Sequence, residues 1–169
     1  MGPNRSTVFV AGPPAAGKTT IGRATAVELR RTFRTIDDWT PRGISMTDME
    51  VELALSKLFS AAQPGDEIIE FCHHAYRDLL AANTYPFFTS APKIVVLASV
   101  ASCRARNQVR RSPVRDDYVK RACESAEWLA EHSQEIAPAR TLVIRTDEQS
   151  ESAAIEAAAK FMKNVWSLR

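Results

Sequence analysis

Thr7-Val-Phe-Val-Ala-Gly-Pro-Pro-Ala-Ala-Gly-Lys-Thr-Thr20 is the stretch that decides the fold. Residues 12–19 carry the pattern G-x-x-x-x-G-K-[ST], with an apolar strand before it and a helix after it. Gly12 and Gly17 let the backbone turn tightly, so that successive N–H groups point at one anion. The following helix adds its positive N-terminal end. Pro13, Pro14, Ala15 and Ala16 complete the cradle, and the two alanines are small enough to leave its backbone accessible. Lys18 is placed to reach the β- and γ-phosphates of a nucleoside triphosphate. The Thr19 hydroxyl is placed to ligate Mg²⁺, and Thr20 to contact the α-phosphate.

Outward from this loop, strands and helices alternate. The sequence predicts strands at Thr7–Ala11, Phe33–Asp37, Glu67–Phe71, Lys93–Ser99 and Thr141–Arg145. Helices are expected at Lys18–Arg31, Met49–Ala62, Tyr76–Ala82, Arg115–Ile136 and Ser150–Val165. Met49–Ala62 places Val51, Leu55, Leu58, Phe59 and Ala62 on one face. Arg115–Ile136 aligns Tyr118, Ala122, Ala126, Leu129, Ser133 and Ile136, and the last helix Ala154, Ala157, Phe161 and Val165. Asn83–Pro92 reads as an ordered surface loop. Within Lys93–Ser99, Ile94–Ala98 is an unbroken apolar run, as in a parallel strand covered on both faces. This alternation predicts a parallel sheet with right-handed crossovers in a three-layer α/β domain spanning 1–169.

Composition bounds the partners. The chain is 45% apolar and 25% charged with a net charge of +2, which is enough for a core and too little for a strong field. Ile94–Ala98 is too short to span a bilayer, and the polar start leads straight into a strand, so neither a membrane partner nor a signal peptide is expected. Cys72, Cys103 and Cys123 are odd in number and widely spaced, which suits reduced thiols in a cytoplasmic protein.

Taken with the phosphate loop, this order of elements resembles the nucleoside-monophosphate-kinase-like group of P-loop phosphotransferases. The likeness is nearest to small members such as gluconate kinase, shikimate kinase and chloramphenicol phosphotransferase. The resemblance implies a sheet order of 2-3-1-4-5, ATP and Mg²⁺ as cofactors, and a lid after strand four, here about residues 101–115. Arg104, Arg106, Arg110 and Arg111 fall in that lid. In related kinases one such arginine stacks on adenine and another, about four residues on, reaches the transferring phosphoryl group; Arg106 and Arg110 fit these places, and their spacing suits one helical face. The competing reading is a solvated basic helix or a nucleic-acid patch, since residues 102–121 hold seven Arg/Lys against two Asp.

Ligands of an open parallel sheet sit beyond the carboxyl ends of its strands. Asp37 and Asp38 end strand two, where related kinases carry an acid; Asp37 fits best as the group that orients the acceptor hydroxyl and takes its proton, with a helix cap or turn former as the alternative. Glu70 ends strand three, in the position that usually holds Mg²⁺ through water, although the group more often has Asp there. Glu70 therefore stands as metal ligand, base or substrate contact. The run Cys72-His73-His74 is a poor metal site, because adjacent residues do not easily turn to one ion. His73, Tyr76 and Arg77 are expected either to line the acceptor pocket or to pack a loop.

The acceptor segment, about 38–64, is short. This favours transfer of the γ-phosphoryl group to a hydroxyl of a metabolite, nucleoside or antibiotic, while Arg42 would suit an acceptor phosphate. A nucleotide or polynucleotide acceptor is the alternative, which the basic segment supports and the small net charge does not. A P-loop NTPase without kinase activity would need a water-positioning residue, and no Asn-Lys-x-Asp motif is present.

Overall fold

A computed structural model describes residues 7–40, 47–62, 65, 67–111 and 113–167. Strand β1 (Val8–Ala11) is free of solvent along its whole length, because strands pair with both its edges and helices cover both its faces. The remaining strands are β2 (Thr32–Thr35), β3 (Glu67–Phe71), β4 (Lys93–Leu97) and β5 (Thr141–Arg145). All pair in parallel in the order β2-β3-β1-β4-β5, as expected. The helices are α1 (Lys18–Leu29), α2 (Asp48–Ala61), α3 (Tyr76–Ala82), α4 (Pro86–Ser90), α5 (Val100–Gln108), α6 (Asp116–Ile136) and α7 (Glu151–Ser167).

The two faces of β1 feed two cores. Phe9 and Ala11 join Leu55, Phe71, Tyr76, Phe88 and Leu129 on one side. Val8 and Val10 join Ile21, Ile68, Ile94, Val96 and Met162 on the other. This is the period-2 alternation of a strand buried on both faces.

Four sequence expectations are corrected. Strand two stops at Thr35, and Ile36–Trp39 is a 3₁₀ turn. The Thr35 hydroxyl accepts the Asp37 N–H, and Asp38 returns to the Thr35 N–H, so a local capping box competes successfully with strand extension. Asn83–Pro92 is not wholly loop. It contains α4, started by Pro86 in its first turn, which seats Phe88 in the core at ring distances of 5.0 Å from both Phe9 and Phe71. Ile136 is 59% exposed. It lies about five turns from Tyr118, on the same flank of α6, whereas the buried stripe runs through Val119, Ala122, Cys123, Ala126, Leu129, Ala130 and Ser133. On α7 the buried residues are Ala154, Ala158, Ala159 and Met162, so Ala157, expected on the inner face, is only half-buried, while Phe161 and Val165 are half-buried against the same core.

The alignment of strand ends positions the site. Thr35 on β2 and Val10 on β1 flank Glu70 on β3, so the carboxyl ends of three strands meet at the mouth of the loop that follows β1.

Candidate active site

The loop from Gly12 to Gly17 owes its path to backbone conformations that glycine tolerates. Gly12 has φ 151° and Gly17 φ 99°. A Cβ on Gly12 would lie 2.1 Å from the Val96 carbonyl oxygen, so β4 approaches too closely for any side chain. Gly17 caps α1 in the left-handed region, and α1 begins at Lys18. The helix N-terminus therefore faces the cradle without side-chain caps, leaving its N–H groups available to an anion.

Lys18 is buried and turns back on its own loop. Its Nζ donates to the Pro13 carbonyl at 2.7 Å and lies 3.5 Å from Glu70 Oε1. The other Glu70 oxygen accepts the Thr35 hydroxyl. Glu70 is only 3% exposed, so both oxygens of a buried carboxylate are partnered, as burial of a charge requires. The set fits a magnesium triphosphate. An ammonium sits over the cradle, and the Thr19 hydroxyl and Glu70 carboxylate are hard oxygen donors suited to Mg²⁺. Thr19 and Glu70 would hold that ion, which when bound neutralises phosphate charge.

These groups border a cavity of about 830 Å³. The phosphate loop forms its floor. Thr146, Gln149 and Ser150, from the β5–α7 connection, border it as well. The Thr146 hydroxyl donates to the Ala16 carbonyl at 2.7 Å and accepts from Arg106 Nη1 at 2.8 Å, while Arg106 Nη2 donates to the Thr146 carbonyl at 3.2 Å. Arg106 thus joins α5, the phosphate loop and the β5–α7 connection.

Arg106 and Arg110 do not share a helical face. α5 ends at Gln108, and Arg110 lies in the turn beyond it, exposed and facing the cavity. Arg104 is occupied by Asp116, to which it donates two bonds of 2.6 Å. Arg111 is exposed and does not border the cavity.

From the β2–β3 half of the sheet come Asp37, Asp38, Thr40, Val51 and Cys72, and from α6 Tyr118. Asp38 caps the 3₁₀ turn, whereas Asp37 is exposed to the cavity and carries no ion pair among the described residues. Burial pushes the Cys72 thiol and the Tyr118 phenol upward. Both stay neutral, 3.6 Å apart, which makes Cys72 a wall rather than a nucleophile.

His73, Tyr76 and Arg77, expected as possible acceptor contacts, do not border this cavity. His73 Nδ1 accepts the Ala75 N–H at 3.0 Å, which leaves the proton on Nε2, 2.5 Å from Glu52. Tyr76 is fully buried; its hydroxyl accepts the Gly12 N–H at 3.1 Å and donates to the Phe71 carbonyl at 3.3 Å. Arg77 is exposed and lies over the Trp128 ring at 5.1 Å. Arg42 lies outside the described residues. No group of three His, Cys, Asp or Glu side chains able to hold a metal occurs among the described residues, and all three cysteines are free.

Thr35, Thr146 and Tyr118 were not site candidates from sequence, and Cys72 was considered only within a poor metal run. Thr35 and Thr146 stand at the carboxyl ends of β2 and β5, so the strand-end rule was a usable signal for both. Cys72, one residue past the carboxyl end of β3, carries the same signal, whereas Tyr118 comes from the first turn of α6 and left none.

No protein-family model and no curated protein matches the chain by sequence. Solved structures do match in fold. A gluconokinase from Sinorhizobium meliloti 1021 superposes with a TM-score of 0.65 at 16% identity, over 98% of this chain and 95% of that one. A shikimate kinase from Acinetobacter baumannii in complex with shikimate gives 0.58 at 18%, over 98% and 95%. A deoxyadenosine kinase from M. mycoides with bound dCTP gives 0.61 at 12%, over 94% and 99%. The chain therefore has the fold of small P-loop kinases.

Proposed function

We propose that this protein is a kinase that transfers the γ-phosphoryl group of Mg-ATP to a hydroxyl of a small acceptor. The observation that carries this reading is the shared cavity. One continuous space is bordered by the phosphate loop from Pro14 to Thr20, by Arg106 and Arg110, and by the exposed carboxylate of Asp37. Phosphoryl transfer asks for these parts: a cradle for the triphosphate, cations where charge spreads in the transition state, and a carboxylate to orient the attacking hydroxyl. The solved neighbours support a small acceptor, since one is a gluconokinase and another holds shikimate.

In this reading Lys18 and Arg110 stabilise the transferring group. Arg106 holds the nucleotide, Asp37 faces the acceptor, and Thr19 and Glu70 hold Mg²⁺. A basic lid also serves a polynucleotide, but two of its cations are engaged internally, Arg104 by Asp116 and Arg106 by the Thr146 hydroxyl, which favours the small acceptor. The test is ATP consumption by the purified chain across metabolites, nucleosides, nucleotides and oligonucleotides. Stimulation by a small hydroxyl compound is expected. ATP hydrolysis that no acceptor stimulates would overturn the kinase reading.

A further inference from the structure

The arginine segment is tied off at its base by one side chain. Asn107 is 6% exposed, and its amide meets both backbone groups of Val114, seven positions on. Nδ2 donates to the Val114 carbonyl at 2.8 Å, and Oδ1 accepts the Val114 N–H at 3.1 Å. The Asn107 carbonyl accepts the Arg110 N–H at 3.2 Å. A carboxamide presents donor and acceptor side by side, so this one side chain satisfies both backbone groups of Val114 at once.

The surroundings give this neck its meaning. Arg106, the residue before Asn107, is fastened to Thr146 and the phosphate loop. Three residues beyond Asn107 stands Arg110, which borders the cavity with no ion pair of its own among the described residues. A second link, Arg104 to Asp116, crosses the same neck on the exposed side, where ion pairs contribute little. The buried amide is therefore the element that decides where the loop leaves α5 and where it returns to α6.

We propose that Asn107 is a positioning residue for Arg110: by clamping Val114 it shortens the lid to a small tied loop and aims the Arg110 guanidinium at the transferring phosphoryl group. The proposal rests on the phosphoryl-transfer reading given above. It separates the two lid arginines physically. Arg106 is held by Thr146 whether or not the loop is tied, whereas Arg110 depends on the knot.

Two measurements on the full chain test this. In the first, folded protein is treated with trypsin and cleavage after Arg110 and Arg111 is followed. Asn107→Ala is expected to speed that cleavage about tenfold, with other sites unchanged, because untying the loop raises the population of open conformers. Unchanged cleavage overturns the clamp whatever the enzyme does. In the second, kcat and KM for ATP are measured in a double-mutant cycle. Asn107→Ala is expected to lower kcat by roughly 10–10²-fold with KM for ATP held within about twofold, and to have almost no further effect in an Arg110→Ala background. Equal losses in both backgrounds would show that Asn107 does not act through Arg110. If Asn107→Ala does not fold, Asn107→Asp, which keeps the acceptor and loses the donor, is carried through both measurements with the same criteria. A wild-type chain that transfers phosphoryl to no acceptor sinks the kinase reading alone, and the aim proposed for Arg110 with it, while the cleavage result still decides the clamp.

Discussion

The Lys18 ammonium lies 3.5 Å from the Glu70 carboxylate, with both side chains nearly sealed from solvent. The pair links the phosphate loop to the end of β3. Lys18→Ala removes the charge at the β- and γ-phosphates and is expected to cut phosphoryl transfer by several orders of magnitude. It also strands a buried carboxylate, a loss of about 3–5 kcal/mol in comparable pairs. Lys18→Ala/Glu70→Gln should therefore recover most of the lost Tm while remaining inactive. Thermal melts and turnover on the two variants separate the roles, and a well-folded Lys18→Ala with normal turnover would end the kinase reading.

Asp37 and Glu70 differ in burial and partners, and their variants should differ in kind. Asp37 is exposed to the cavity, and in the proposed reading its loss should lower kcat by about 10²–10⁴-fold with little change in the Mg²⁺ requirement. Glu70→Gln should shift the magnesium dependence of the initial rate to higher concentration. Rate-against-magnesium curves for both variants check this. A collapsed kcat with a normal magnesium curve for Glu70→Gln, beside an active Asp37→Asn, would exchange the two assignments.

The two lid arginines stand in different environments. Arg106 is bonded to Thr146 and Ala15, so Arg106→Ala should chiefly raise the KM for ATP. Arg110 is exposed with its backbone in a turn, and Arg110→Ala should lower kcat more than it weakens ATP binding. Steady-state kinetics on each variant decide, and the reverse pattern would mean that the roles are transposed.

Tyr76 holds the first amide of the phosphate loop from the core. Tyr76→Phe leaves the Gly12 N–H and the Phe71 carbonyl without that partner. A buried unsatisfied group costs about 1–3 kcal/mol. The expected outcome is a lower Tm together with a weaker nucleotide, read by melting with and without ATP. Unaltered ATP affinity at reduced Tm would confine Tyr76 to the core.

Lys93 is buried at the amino end of β4, its Nζ donating to Thr89 and Ala91 carbonyls at 3.1 and 2.9 Å. Burial lowers it from its ordinary 10.5 to about 8. Between these values the unfolded chain binds more protons than the folded one, so this group makes stability rise with pH in that window. The raised Cys72, Tyr76 and Tyr118 groups act in the opposite sense at alkaline pH, so the comparison must be with Lys93→Met. Wild type should gain on Lys93→Met as pH increases from 8 toward 10. A Tm difference that stays flat with pH would show that Lys93 titrates normally.

The sequence by itself determined the phosphate loop, the alternation of strands and helices that makes the sheet parallel, and the chain positions of the acids; the strand order was implied only by the family resemblance those features carry. These follow from local rules: Gly12 and Gly17 must take positive φ, and alternating apolar strands and amphipathic helices leave few topologies. Three elements, β3, α3 and β5, have the boundaries predicted from sequence. The tertiary structure decided which polar residues meet. Tyr76 and His73 follow β3 by a few residues and were candidates for the pocket, yet Tyr76 points into the core because Gly12 and Phe71, 64 and 5 positions away, offer its hydroxyl partners. Thr146 matters because parallel pairing brings the end of β5 beside the phosphate loop, 130 positions from Ala16. Strand two ended early because the Thr35 and Asp38 side chains found backbone groups at short range, which turned Asp37 toward the cavity. Periodicity encodes which face of an element is buried; it does not encode which partner a polar side chain on that face will find, since that depends on contacts between segments far apart in the chain.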